Sequence, residues 1–317
     1  MSSYLSRFNY QIYAPAKRSP LPTKYWVFLH GLMGYGQNWR KIAQALTQQS
    51  NVLNYVLVFD QRGHGKSMKP LTGYAPDDYA EDLALILDEL ANPMPSESDA
   101  NNNNGEAIDP SVLPSASVLT SSSSSASSPW SKIILVGHSM GGRNALMFAS
   151  KFPERLEKLI IVDIGPDSRP EAPNYYKGLL EMAPTPFVSK QSAKQFFYNE
   201  FPKLAKSFKQ PQTLGAYLYS NIDENPDGSA DWRFSKEAMI QSVVQGRAQD
   251  HWRELRALSM PTLVVRGSES EDLTKDEFQR MCLANPRIHG VEIPQAGHWV
   301  HFDRPQEFLQ ALLDFVK

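Results

Sequence analysis

A serine with glycines two residues to either side, in the run Val136-Gly137-His138-Ser139-Met140-Gly141-Gly142, is where residue type and spacing point most directly to chemistry. The run follows the aliphatic stretch Ile133-Ile134-Leu135-Val136 and precedes a helix-like segment at 143–150. Ser139 therefore falls where a buried strand turns sharply into a helix, the context Gly-x-Ser-x-Gly needs to mark a nucleophile. A turn that tight brings backbone close to the serine, and glycines at 137 and 141 have no Cβ to clash.

A serine hydroxyl is a weak nucleophile at neutral pH and needs a positioned base. Seven histidines are available. His138 adjoins Ser139, but on a strand its side chain points to the opposite face. His30 and His64 sit in loops suited to shaping a site, and His251 and His289 read as surface residues. That leaves His298 and His301. His298 follows Gly297 in the loop after the final strand, and the chain order serine, acid, histidine suits it as the base.

The elements that must hold these residues alternate between strands and helices. Residues 7–13 alternate like a half-exposed edge strand; 25–29, 55–59, 133–136, 159–162 and 261–266 read as buried strands, and 290–293 as a last short one. Helical spacing is clear at 38–48, 77–90 with Asp77 or Asp78 as N-cap, 278–284 and 305–316. The fold class is α/β, with a mostly parallel central sheet flanked by helices and its ligand site at the carboxyl ends of the strands.

Two segments interrupt this rhythm. The stretch 92–129 carries runs of Asn and Ser and five prolines, too few apolar side chains to offset ordering entropy, and is expected to be a disordered low-complexity insert. Between 166 and 246 the strand signal stops, and aromatic-rich helical stripes (Tyr175, Tyr176, Leu179, Leu180; Phe196, Phe197, Phe201) predict a helical lid inserted before the penultimate strand, with an apolar underside. The domain plan is thus a core of 1–165 and 247–317 around a lid. Asp223-Glu224-Asn225-Pro226-Asp227-Gly228 matches half of a calcium loop, but position twelve is Phe234 where a glutamate is needed, so a turn is expected there.

Charge and composition narrow the partners. Lys and Arg number 32 against 34 Asp and Glu, a formal net charge of −2, and no basic cluster with interleaved aromatics suggests nucleic acid. One cysteine, Cys282, leaves no intramolecular disulfide and no Cys-based zinc site. With no long apolar run or leader-like start, a soluble cytoplasmic protein is expected ahead of a mitochondrial one, with no stable membrane insertion. Oligomeric state is not legible.

Taken together, His30-Gly31-Leu32-Met33-Gly34, the loop from Asp60 to Ser67, Gly137-His138-Ser139-Met140-Gly141-Gly142 and Gly297-His298-Trp299-Val300-His301 resemble the α/β-hydrolase superfamily. With Val162-Asp163-Ile164 and Trp232-Arg233-Phe234 they resemble more narrowly the YbfF-type esterase subgroup, which also contains mitochondrial hydrolases and alcohol acetyltransferases. The resemblance implies short-chain acyl-ester or thioester chemistry without metal or organic cofactor. It offers two positions for the triad acid: Asp163, the subgroup's position and the favoured one, with Ser270 as an auxiliary group, or Glu269, Glu271 or Asp272 after the strand ending at Arg266. Backbone N–H groups of Leu32 and Met140 are the expected oxyanion donors, and Asp60, Arg62 and His64 the expected structural braces. The function expected is a serine hydrolase of small acyl esters. Acyl transfer to an alcohol and a catalytically silent binding protein are the alternatives.

Overall fold

The computed structural model describes residues 3–16, 20–92, 129–206 and 210–317. In chain order the elements are β1 (Tyr10–Tyr13), β2 (Thr23–Leu29), α1 (Arg40–Thr47), β3 (Leu53–Phe59), α2 (Pro76–Ala91), β4 (Ile133–His138), α3 (Met140–Lys151) and β5 (Leu156–Val162). Next come α4 (Ala172–Glu181), α5 (Lys190–Gln195), α6 (Phe201–Leu204), α7 (Pro211–Ser220), the short strands β6 (Ile222–Glu224) and β7 (Ala230–Trp232), and α8 (Lys236–Arg247). The chain ends with α9 (Trp252–Arg256), β8 (Thr262–Gly267), α10 (Lys275–Ala284), β9 (Ile288–Ile293), α11 (Val300–Asp303) and α12 (Pro305–Val316).

Seven strands form one sheet in the order β1-β3-β2-β4-β5-β8-β9, with β1 antiparallel to β3 and every other pair parallel. The continuous apolar runs follow from burial on both faces. On β2, Val27 and Leu29 enter a core shared with Leu83 and Leu87 of α2 and Phe148 of α3. Trp26 and Phe28 alternate to the other face and pack with Ile42 and Leu46 of α1 and Phe308 and Leu312 of α12.

The chain runs from β2 outward to β3, then crosses back to place β4 on the opposite side of β2. This reversal leaves a crevice between the carboxyl ends of β2 and β4, the usual ligand position in an open α/β sheet. Leu29 is in register with Gly137 there, so the loop through Leu32 and the turn at Ser139 are neighbours by topology.

Several local expectations need correction. The first strand is only Tyr10–Tyr13, because Leu5–Arg7 forms a single 3₁₀ turn. Pro76 starts α2 behind Ala75, so Asp77 and Asp78 lie inside the first turn rather than at the N-cap; Asp78 instead accepts the Ala75 N–H at 2.8 Å. His251, expected at the surface, is buried, its N–H donated to the Pro166 carbonyl. Helices α4 to α8 share a third apolar cluster centred on Phe197, Phe201 and Leu218. Among them β6 and β7 form a hairpin that helical periodicity did not announce, with residues 225–229 as its turn. The expected disordered insert falls almost wholly on 93–128, outside the described residues. Its flanks, the end of α2 at Ala91 and the start of β4 at Ile133, lie at the amino end of β4, opposite Ser139.

Two glycines separate steric need from tolerance. A Cβ on Gly137 would stand 2.2 Å from the Gly141 carbonyl oxygen, whereas one on Gly178, within α4, meets nothing within 4 Å. Gly137→Ala should cost about 1–3 kcal/mol or more in chemical denaturation, and Gly178→Ala should gain about 0.5–1 kcal/mol. Equal effects would contradict the turn geometry described.

Candidate active site

Ser139 occupies a backbone conformation that side-chain-bearing residues rarely adopt, with φ at 53° and ψ at −123°. It is held from both sides: the Ser139 N–H donates to the Val162 carbonyl at 3.0 Å, and the Ser139 carbonyl accepts the Gly142 N–H at 2.8 Å. A Cβ on Gly141 would stand 2.6 Å from the carbonyl oxygens of Leu29 and His30, so helix α3 can approach β2 this closely only with glycine there. Met33 and Asp163, at neighbouring strand ends, also have positive φ, 58° and 53°. Strain of this kind beside a cleft is a marker of function.

The ends of β4, β5, β8 and β9 bring Ser139, Asp163, residues 268–272 and His298 to that edge. Ser139 and His298 line one cleft of about 180 Å³. Among the described residues no hydrogen bond joins Ser139 Oγ to the His298 ring; such contacts commonly tighten only when substrate is bound.

His298 Nδ1 lies 2.9 Å from Asp163 Oδ2, and the fully buried Asp163 also accepts the Gly267 N–H at 2.9 Å and the Ser270 hydroxyl. Burial raises the Asp163 pKa, and the His298, Ser270 and Gly267 hydrogen bonds pull against that rise. Asp272, half-buried, is the second carboxylate on the same nitrogen, 3.4 Å away. Burial disfavours the imidazolium of His298, but the charge of Asp272, then the hydrogen bond and charge of Asp163, outweigh it and hold His298 above the ordinary histidine pKa. Glu269 and Glu271 line the cleft without an ion pair to His298 within 4 Å. The structure therefore brings Asp163, Ser270 and Asp272 together around His298 and leaves Glu269 and Glu271 in the wall.

At the opposite side of Ser139, Leu32 and Met140 meet in a second, smaller cavity. Neither N–H takes part in a backbone hydrogen bond among the described residues, and Met140 begins α3, where N–H groups point outward. Tyr217 of α7 donates its hydroxyl to the Leu32 carbonyl at 2.9 Å, fixing the loop from the far side of the cleft. Nothing in the sequence pairs residues 185 positions apart, so this contact escaped the motif reading.

His30, His138 and His301 are bonded or stacked into the surrounding structure. His30 is bonded through Nδ1 to the Gly31 carbonyl and through Nε2 to the Gln61 N–H, which requires the neutral ring with its proton on Nδ1. The His138 ring, expected on the face opposite Ser139, instead lines the same cleft and donates Nε2–H to the His298 carbonyl at 2.8 Å, and His301 stacks on Trp39. Asp60 accepts N–H groups from Gly36 and Lys66 and the Asn9 amide, and Arg62 pairs with Asp82; neither lines the cleft. Among the described residues no cluster of His, Cys, Asp and Glu is placed to hold a metal, and no helix is long and apolar enough to cross a membrane.

This strand order, with a strained serine between strand and helix at the switch point, is the architecture of the α/β hydrolases. The chain belongs to the alpha/beta hydrolase family, whose model matches residues 26–311. It is similar to the sn-1-specific diacylglycerol lipase ABHD11 of Danio rerio, at 26% identity over 92% of this chain and 78% of the relative. Its fold is similar to that of E-2-(acetamidomethylene)succinate hydrolase, with a TM-score of 0.70, 22% identity and coverage of 98% and 96%, and to that of a marine microorganism esterase, with a TM-score of 0.67, 22% identity and coverage of 97% and 99%. Family and relatives support a hydrolase.

The two carboxylates on His298 Nδ1 differ in what they should control. Asp163→Asn should lower kcat by several powers of ten, because the hydrogen bond that fixes the imidazole tautomer is lost. Asp272→Asn should instead move the acid limb of kcat/KM to lower pH, since a neutral imidazole is the active form and removing this charge lowers a raised pKa. An unmoved limb in Asp272→Asn, or a mild effect of Asp163→Asn, would contradict this division.

Proposed function

We propose that the chain is a serine esterase acting on small acyl esters, with Ser139 as nucleophile, His298 as general base and Asp163 as the acid that orients it. The observation that carries the reading is the strained backbone of Ser139 beside a histidine whose far nitrogen is bonded to a buried carboxylate. His298 Nε2 takes the Ser139 proton as Oγ attacks the ester carbonyl, and the developing oxyanion is met by the Leu32 and Met140 N–H groups. Collapse breaks the ester C–O bond, and His298 returns the proton to the departing alkoxide. Water, deprotonated by His298, then releases the acid and restores Ser139.

Residues 166–246 serve as a lid over this centre: Tyr175, Tyr176, Leu179, Leu214 and Tyr217 form the apolar wall of the cleft. The other wall carries Glu269 and Asp272, acidic groups that favour neutral alcohol leaving groups over polyanionic thiols such as coenzyme A. Simple thioesters remain compatible with the geometry. Acyl transfer would use the same intermediate with an alcohol in place of water.

A chain-length series of p-nitrophenyl esters, run beside the matching acyl-CoA thioesters and with added alcohol, tests this. The expected result is a short-chain optimum, acyl-CoA turnover at least about tenfold slower, the free acid as main product, and a loss of several powers of ten in Ser139→Ala. Ester formation as the main outcome would make the protein a transferase. Turnover retained in Ser139→Ala, or no labelling of Ser139 by a fluorophosphonate, would overturn the serine mechanism.

A further inference from the structure

The cavity on the oxyanion side of Ser139, about 30 Å³, is lined by a buried guanidinium whose hydrogen-bonding capacity is not filled. Leu32, Ser139, Met140 and Arg247, the last residue of α8, all line it. Arg247 is only 8% exposed, and among the described residues its Nη1 has no hydrogen-bond partner. Guanidinium groups stay protonated, and a buried one left unpaired is costly enough that its persistence asks for an anion. Burial works against the cationic form here, a penalty that an incoming carboxylate would relieve.

The charges of Asp272 and Glu277 favour the Arg247 cation, but among the described residues neither carboxylate forms an ion pair with it, and each is engaged elsewhere. Asp272 faces His298 Nδ1 at 3.4 Å and Arg169 at 4.0 Å. Glu277 takes the Asp167 N–H at 3.1 Å and Arg169 at 3.4 Å. Arg143, on the same side, gives its terminal nitrogens to the carbonyls of Gly165, Asp167 and Gln249 and adds positive charge rather than cancelling it. Tyr79 and Ser242, also in the lining, are bonded to each other at 2.7 Å.

Direction follows from the catalytic geometry. His298 must protonate the leaving oxygen, so the leaving group lies in the larger cleft, which His298 lines. His298 does not line the smaller cavity, which shares Leu32, Ser139 and Tyr176 with the cleft and extends it on the side left for the acyl part. We propose that Arg247 is a specificity residue that binds a carboxylate at the far end of a short acyl chain, making half-esters of small dicarboxylic acids the preferred substrate class. This rests on the serine-esterase reading of Ser139. It also gives the site a polarity, with the anionic acyl end toward Arg247 and a neutral leaving group against the acidic wall.

The test compares monoethyl succinate with its neutral isostere ethyl 4-methylpentanoate, using released ethanol as the common readout. Wild-type kcat/KM should favour the carboxylate ester by about 10- to 100-fold. Arg247→Met should erase that ratio, and Arg247→Lys should keep part of it. Because the readout is a ratio within one protein, partial loss of folded enzyme cancels, and the wild-type ratio stands without any variant. A wild-type ratio of one or less, or a ratio that survives Arg247→Met, overturns the inference. If the neutral ester is cleaved and fluorophosphonate labels Ser139 while no carboxylate preference exists, only the Arg247 inference falls. If neither ester is cleaved and Ser139 is not labelled, both readings fall.

Discussion

Everything at the carboxyl edge of the sheet depends on the turn that forces Ser139 into positive φ between β4 and α3. The turn exists because α3 must begin at once after a buried strand, and the begin-point is possible because Gly137 and Gly141 let the helix touch the strand ends. The same turn places the Met140 N–H at a helix start and the serine side chain over the β2/β4 crevice. Strain of this kind costs on the order of 1–3 kcal/mol and persists only where the surroundings hold it in place. Here the Val162 carbonyl and the Gly142 N–H do so.

Around that fixed point the electrostatics are asymmetric. On one side His298 is flanked by Asp163 and Asp272, with Glu269 and Glu271 beyond; on the other stand Arg143 and Arg247. A buried carboxylate accepting three hydrogen bonds is a stable partner for the imidazole of His298, as the proposed general-base role requires. Asp272 is different: partly exposed and bonded to nothing as firmly, it can set the basicity of His298 without fixing its orientation. Tyr217 ties the helical block to the Leu32 loop, so α7 is mechanically linked to one of the two proposed oxyanion donors.

Much of this was legible in the sequence, for reasons particular residues make clear. Strands buried on both faces leave continuous apolar runs, so β2, β3, β4, β5 and β8 were visible at once. The position of Ser139 between a strand and a helix was readable from its glycines, and His298 from its place after the last strand. The carboxylates were harder, because Asp163, Glu269, Glu271 and Asp272 all follow strand ends and only their distances to His298 separate them. His251 was misread as a surface residue because its burial comes from a distant segment: it caps the start of α9 with its N–H on the Pro166 carbonyl. Tyr217 and Arg247 carry no local signal at all: each matters through a partner or a cavity assembled from distant segments.

The central claim, that Ser139 carries the acyl group between two chemical steps, is tested most directly by trapping that intermediate. Protein mixed with a slowly deacylating ester and quenched in acid within milliseconds to seconds can be digested and the acylated peptide located by mass spectrometry. The account predicts one acyl adduct, on Ser139, that forms in a burst and decays at the steady-state turnover rate. An adduct on another residue, or turnover with no adduct on Ser139 at any time, would contradict it.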